Sequence, residues 1–270
     1  MRFAKTFTPI AVAVGALLAF APLAAQADTT VKIGFAAPLT GPNANYGKDL
    51  ENGVKMALDD AKAQGVKING QPVTFELVAE DDQADPRTGA QVAQKLVDEG
   101  VSVVVGHFNS GTTIPASTIY EKAGIPDIDP AATNPMISGR GFKNVFMVIS
   151  SDAQNAGTAG AYAVEVTKAK RIAIIDDRSA FGQGEADEFE KAVKAKGGNI
   201  VKREYTTDKA TDFKTQLTNI KAANPDLIFV GARKPQAAVS MKQMAQLGMK
   251  AQFVGGGGVK RAGGDTTVVA

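Results

Sequence analysis

Residues 103–117 read VVVGHFNSGTTIPAS, and their order decides the fold class. Val101–Gly106 reads as a short strand of apolar and small residues. From about Thr113 to Ala123 the pattern turns helical, and Ile125–Asp129 is apolar again. A strand, a covering helix and a second strand within thirty residues make a βαβ unit, which places the two strands parallel.

The same alternation extends outward in both directions. Val31–Ala36 reads as a strand, followed by a helix with Leu50, Val54, Ala57, Leu58 and Ala61 on one face. Val73–Val78 is the next strand. Asp85-Pro86 is a helix start signal, ahead of Ala93, Leu96 and Val97. After Asn134 the alternation pauses. It resumes with strands at Arg171–Asp176, Ile200–Tyr205, Leu227–Val230 and Gln252–Val254. Helices between them carry Ala186, Phe189 and Val193, then Phe213, Leu217 and Ile220, then Ala237, Met241 and Met244. The expected architecture is α/β: two Rossmann-like lobes with parallel sheets, spanning residues 28–150 and 151–270. Ligands of such sheets sit at the carboxyl ends of the strands, here in the cleft between the lobes.

Residues 1–27 are read apart from the fold. Arg2 and Lys5 precede an apolar run from Ile10 to Ala21, and Ala25-Gln26-Ala27 is a small-x-small ending. This is the pattern of a cleavable signal peptide, with the apolar run too short to span a membrane. The two leader cations account for the formal net charge of +2, so the chain from Asp28 is about neutral. Neither nucleic acid nor an anionic membrane is indicated. The sequence has no cysteine, so an exported domain must rely on its packed core.

The strand ends are poor in catalytic groups. The single histidine, His107, has no evident triad partner and reads as a structural residue. No nucleophile elbow, phosphate loop or dinucleotide fingerprint is present; the Gly255–Gly258 run is not followed by a helical pattern. Asp81-Asp82 and Asp176-Asp177 are adjacent pairs, each expected to give one solvent-facing acid and one loop contact. No metal or cofactor is called for. Ser110, Thr112 and Thr113 stand where a strand meets a helix start. Free backbone N–H groups and the positive end of the helix dipole favour a carboxylate there, although helix capping by Thr112 explains the same residues without a ligand. In PAATNP, 130–135, the carbonyl of Ala131 and the hydroxyl of Thr133 can accept from an ammonium group. The same two prolines also suit a rigid connection between the lobes.

Several passages together resemble a known family: GFAAPLTGPNANYG at 34–47, EDDQADP at 80–86, the stretch from 103 to 126, PAATNP at 130–135 and RIAIIDDRSAFGQG at 171–184. They resemble the branched-chain amino acid (leucine/isoleucine/valine) binding proteins of ABC transporters, type I periplasmic binding proteins. The resemblance implies a monomeric, non-enzymatic periplasmic protein. It would close over an amino acid and deliver it to an inner-membrane permease. It assigns the ligand carboxylate to Ser110 and Thr133, the ammonium to Ala131 and Thr133, the side-chain pocket to Tyr46, Phe108, Asn109 and Ala132, and the covering aromatic to Phe181. Where the family places an acid near the last strand, this sequence has Gly257. Where it tends to place an uncharged residue after the strand ending at Val230, this sequence has Arg233. Ala84 and Asn109 stand where some members carry a disulfide. The pattern of the family continues beyond Ala270, so the fold is expected to be incomplete at its C terminus. The other readings are the same fold for an amide, urea or an aromatic acid, a secreted α/β enzyme, and a non-functional fragment.

Overall fold

The computed structural model describes residues 29–257 and the backbone of residues 268–269. The leader reading lies outside the described residues, as does most of the glycine-rich tail.

The first sheet has six strands in the order β2-β3-β1-β4-β5-β6. These are β1 (Thr29–Ala37), β2 (Lys67–Ile68), β3 (Gln71–Asp81), β4 (Val103–Gly106), β5 (Asp127–Asp129) and β6 (Val145–Met147). All pairs are parallel except the β2–β3 hairpin. Helices α1 (Ala44–Ala63), α2 (Pro86–Asp98) and α3 (Ser110–Ala123) are its crossovers. Asp85 caps α2, accepting from the Thr88 N–H at 2.8 Å, with Pro86 opening the helix. Ala93, Leu96, Val104, Ala116 and Tyr120 pack under the sheet. The face of α1 expected to be buried is only half covered: Leu50, Val54, Leu58 and Ala61 are half-buried and Ala57 is exposed.

The second sheet is parallel throughout, in the order β11-β10-β9-β7-β8. It comprises β7 (Ile172–Asp176), β8 (Ile200–Tyr205), β9 (Leu227–Gly231), β10 (Gln252–Gly255) and β11 (Val268–Val269). Its helices are α4 (Asp152–Glu165), α5 (Ala180–Ala195), α6 (Lys214–Ala222) and α7 (Lys234–Gln246). The period-two geometry of a strand divides β7 between two cores. Ile172 and Ile174 meet Phe189 and Phe229, whose rings stack at 4.1 Å. Ala173 and Ile175 meet Phe213, Leu217 and Val230 on the opposite face.

Helix α4 is absent from the sequence reading. Its stretch, DAQNAGTAGAYAVE, buries Ala156, Gly160 and Ala163 rather than a stripe of large residues. Small side chains let it lie close to α5: a Cβ at Gly160 would fall 2.5 Å from the Phe189 carbonyl oxygen. Helix α3 begins at Ser110, three residues ahead of the expected start.

Candidate ligand-binding cleft

The β4–α3 turn sets the first wall. Asn109 is the N-cap of α3 in an extended conformation, and Ser110 is the first helical residue. The hydroxyls of Thr112 and Thr113 both turn back to the Asn109 carbonyl at 2.9 Å. Capping by the Thr112 side chain is therefore not what the structure shows; Thr112 donates to the turn and leaves the helix N–H groups alone. The backbone N–H groups of Ser110 and Gly111 have no carbonyl of their own helix to reach. The Ser110 hydroxyl lies 3.4 Å from the Asn134 N–H, which donates to it.

The second wall is the turn after β5. Oδ1 of Asp129 accepts from the N–H groups of Ala131 and Ala132 at 3.0 and 2.7 Å, an Asx-type turn that holds residues 130–133 rigid. Burial pushes the Asp129 carboxyl up to about 7, against the pull of those two donors. The Thr133 carbonyl accepts from the Asp152 N–H at the start of α4, and the Asn134 amide donates to the Ala180 carbonyl at the start of α5. This last bond joins the two lobes at the edge of the cleft.

The second lobe contributes the start of α5 and the turns after β9 and β10. Ser179 caps α5, accepting from the Gly182 N–H at 3.0 Å. Gly182 admits no side chain, because a Cβ would meet Oδ1 of Asp177 and the Gly231 carbonyl oxygen, both at 2.3 Å. That close approach holds Phe181 over the cleft.

Between these walls is a cavity of about 310 Å³. The residues proposed from sequence that line it are Tyr46, Phe108, Ser110, Ala131, Ala132, Thr133 and Phe181; the rest of the lining includes Ile149, Ser150, Asn155, Arg233, Lys234 and Gly257. Tyr46 and Phe108 stack at 5.0 Å and nearly parallel. Asn109 is the exception. It lines the neighbouring cavity with Pro86, Asp177 and Thr207, because it follows Phe108 on an extended turn and so faces the other way.

The charge of the cavity is one-sided. Arg233 and Lys234 line it, and no acidic residue does. The Arg233 guanidinium lies 5.6 Å from the Phe108 ring and 5.2 Å from the Phe181 ring, one from each lobe. Two acids sit behind the wall. Asp152 is buried without a hydrogen bond to either carboxylate oxygen, and burial raises it to about 6. Glu185 is fully buried beneath the Gly256-Gly257 turn. Burial holds its carboxyl well above the usual range, with the neighbouring Asp152 charge adding to the shift. Glu185 was not singled out in the sequence, where it reads as one more polar residue of a helix. Its signal is the glycine opposite: a Cβ at Gly256 would stand 1.9 Å from its Oε2.

The adjacent acids depart from expectation. Asp82 is buried against His107, with Oδ2 2.7 Å from Nδ1, while Asp81 accepts from the Leu39 N–H in the turn after β1 and from the Gln83 N–H in the turn after β3. Asp176 is buried against Arg203 at 2.7 Å and Asp177 is buried against Ser179, so neither faces solvent. His107 also contacts the Tyr120 hydroxyl at 3.1 Å, in the core and away from the cavity lining.

Two α/β lobes facing each other across such a cavity match a family model described as periplasmic binding protein, over residues 30–268. The chain belongs to that family. It is 38% identical over 248 residues to the Leu/Ile/Val-binding protein homolog 1 of Brucella abortus, covering 92% of this chain and 65% of that one. The chain therefore spans about 65% of the length of that relative. Among solved structures it is similar to the branched-chain amino acid transporter substrate-binding protein LivJ of Streptococcus pneumoniae in complex with isoleucine. The TM-score is 0.71 at 29% identity, over 84% of this chain and 64% of that one. It is similar to the same degree to a solute-binding protein of an ABC transporter from Rhodopseudomonas palustris in complex with 3,4-dihydroxybenzoic acid, with a TM-score of 0.71 at 27% identity, over 84% of this chain and 61% of that one.

Proposed function

We propose that this periplasmic binding protein is the substrate-binding component of an ABC transporter, exported to the periplasm as a monomer. It would bind an α-amino acid, of which leucine, isoleucine and valine are the first candidates, and hand it to an inner-membrane permease. The observation that carries this reading is the meeting of Ser110, at the start of α3, with the Ala131–Thr133 turn in one inter-lobe cavity. A zwitterion needs both charges satisfied when it is buried. The Ser110 hydroxyl and the unpaired N–H groups of the first turn suit the carboxylate. The Ala131 carbonyl and Thr133 hydroxyl suit the ammonium, with Asp152 behind them.

The lobes at 28–150 and 151–270 act as the moving bodies in this reading. Ligand contacts to both favour the closed arrangement, and the equilibrium shifts by the difference in affinity between the two. Phe181 comes from the second lobe and covers the ligand; Tyr46, Phe108 and Ala132 form the side-chain pocket. Titration calorimetry of the purified chain with leucine, isoleucine and valine tests this. Saturable heat with at least one is expected, and its absence with all three in a folded sample removes the assignment to them.

A second reading has its own support. The cavity is rich in aromatic rings, carries two cations and no acid, and one structural neighbour holds 3,4-dihydroxybenzoic acid. Saturable binding of that acid with none of leucine, isoleucine or valine would favour it.

A further inference from the structure

Arg233 is the charged group that the branched-chain reading leaves without work. It caps α7 by its backbone, with an extended conformation at φ −73 and ψ 162, and its side chain enters the cavity. Among the described residues its guanidinium has no hydrogen-bonded or ion-paired partner. Arg233 also lines the neighbouring cavity, where the acids nearest to it in charge effect, Asp177 and Asp208, lie beyond ion-pairing distance. Its nearest aromatic neighbours are the rings of Phe108 and Phe181, 5.6 and 5.2 Å away.

Such an arrangement suits one kind of guest. A guanidinium held near two aromatic rings, with no hydrogen-bond acceptor of its own, keeps its N–H groups available. Its edge is planar and bidentate, and it matches a carboxylate. Lys234, the next residue and solvent-exposed, also lines the cavity. Leucine brings no second carboxylate, so closing over it would leave the guanidinium without a direct hydrogen-bonded partner, which is unfavourable. An amino acid with one further negative charge supplies one. The rings of Tyr46, Phe108 and Phe181 are suited to the methylene groups between the two ends.

We propose that Arg233 receives a second carboxylate, and that the preferred ligand is an α-amino acid whose side chain ends in one. This rests on the amino acid reading above and narrows it. The two ends of the ligand then meet two separate anion sites. The α-carboxylate meets Ser110 and the first turn of α3, and the distal carboxylate meets Arg233.

Calorimetry with L-glutamate, L-glutamine and L-leucine separates the possibilities. Glutamine has the shape of glutamate without the charge. Glutamate binding roughly tenfold or more tighter than glutamine is expected, since hydrogen bonds to charged groups are the stronger class. In Arg233→Gln, checked for folding by its thermal transition, that ratio falls to about one. If this variant does not fold, Arg233→Met replaces it, and the ratio in the unmodified chain still decides. Leucine or glutamine binding at least as well as glutamate overturns this inference and leaves the amino acid reading standing. A ratio that survives the loss of Arg233 overturns its role. No heat with any of the three in a folded chain overturns this inference, and the assignment to branched-chain amino acids falls with it when isoleucine and valine are silent too.

Discussion

Gly257 donates its backbone N–H to Oε1 of Glu185 at 2.6 Å, so a buried carboxylate of α5 holds the turn after β10 at the rim of the cleft. The other oxygen of Glu185 has no hydrogen-bond partner and lies against Gly256. The turn carries no acid of its own, and this one stands beneath it.

The two positions are coupled. Gly256→Ala places a methyl group 1.9 Å from Oε2 of Glu185, which neither backbone nor a buried side chain can accommodate. The expected loss is about 1–3 kcal/mol or more, the range for overpacking a core. Glu185→Ala opens the space and should recover part of the loss when the two changes are combined. A double-mutant cycle by urea denaturation measures the coupling. Additive effects would mean that the turn moves away instead.

Ser110→Ala should weaken ligand binding by roughly tenfold or more while leaving the melting temperature nearly unchanged. The hydroxyl accepts one long bond, 3.4 Å, from the Asn134 N–H, so the fold loses little. Binding that is unchanged would move the carboxylate away from the start of α3.

The alternation of strands and helices was legible because the central strands of the second sheet are buried on both faces and read as apolar runs. Ile172–Asp176 and Leu227–Gly231 are buried along their whole length. Helix α4 was not legible, because it packs through Ala156, Gly160 and Ala163, and close approach of small residues leaves no apolar stripe. Strand β2 is two exposed residues, below any periodic signal. In the cleft, Ser110, Ala131 and Thr133 could be placed because strand ends are where such sheets bind ligands. Glu185 could not, since a helix residue is placed inside or outside only by knowing which neighbour it faces. Asn109 lines the neighbouring cavity for a related reason: a one-residue difference on an extended turn reverses the side-chain direction.

His107 links Asp82 and Tyr120 through bonds of 2.7 and 3.1 Å, with all three side chains fully buried. His107→Ala leaves Oδ2 of Asp82 without its partner and should destabilise the chain by about 1–3 kcal/mol or more, the range for an unsatisfied buried group. Tyr120→Phe removes one neutral hydrogen bond and should lose about 1 kcal/mol with ligand affinity intact. Chemical denaturation of both variants checks the order. A Tyr120→Phe change as damaging as His107→Ala would show that the hydroxyl, not the His107–Asp82 hydrogen bond, anchors the cluster.

The buried acids predict that stability falls as pH rises. Burial raises Asp129 to about 7 and Asp152 to about 6, and holds Asp127 well above the ordinary range. An unfolded chain ionises its aspartates near pH ~4. Between that value and the folded ones the native state holds protons that the unfolded state has lost. These groups therefore contribute their full stability below about pH 4, and it is lost as pH rises through 6 and 7. The melting temperature should decline from about pH 5 to about pH 8. Asp129→Asn keeps an Oδ1 acceptor for the Ala131 and Ala132 N–H groups while removing the ionisation. It should flatten the decline and raise stability at the alkaline end. A melting temperature that rises over this interval, or a slope unaltered by Asp129→Asn, would place the titration elsewhere in the chain.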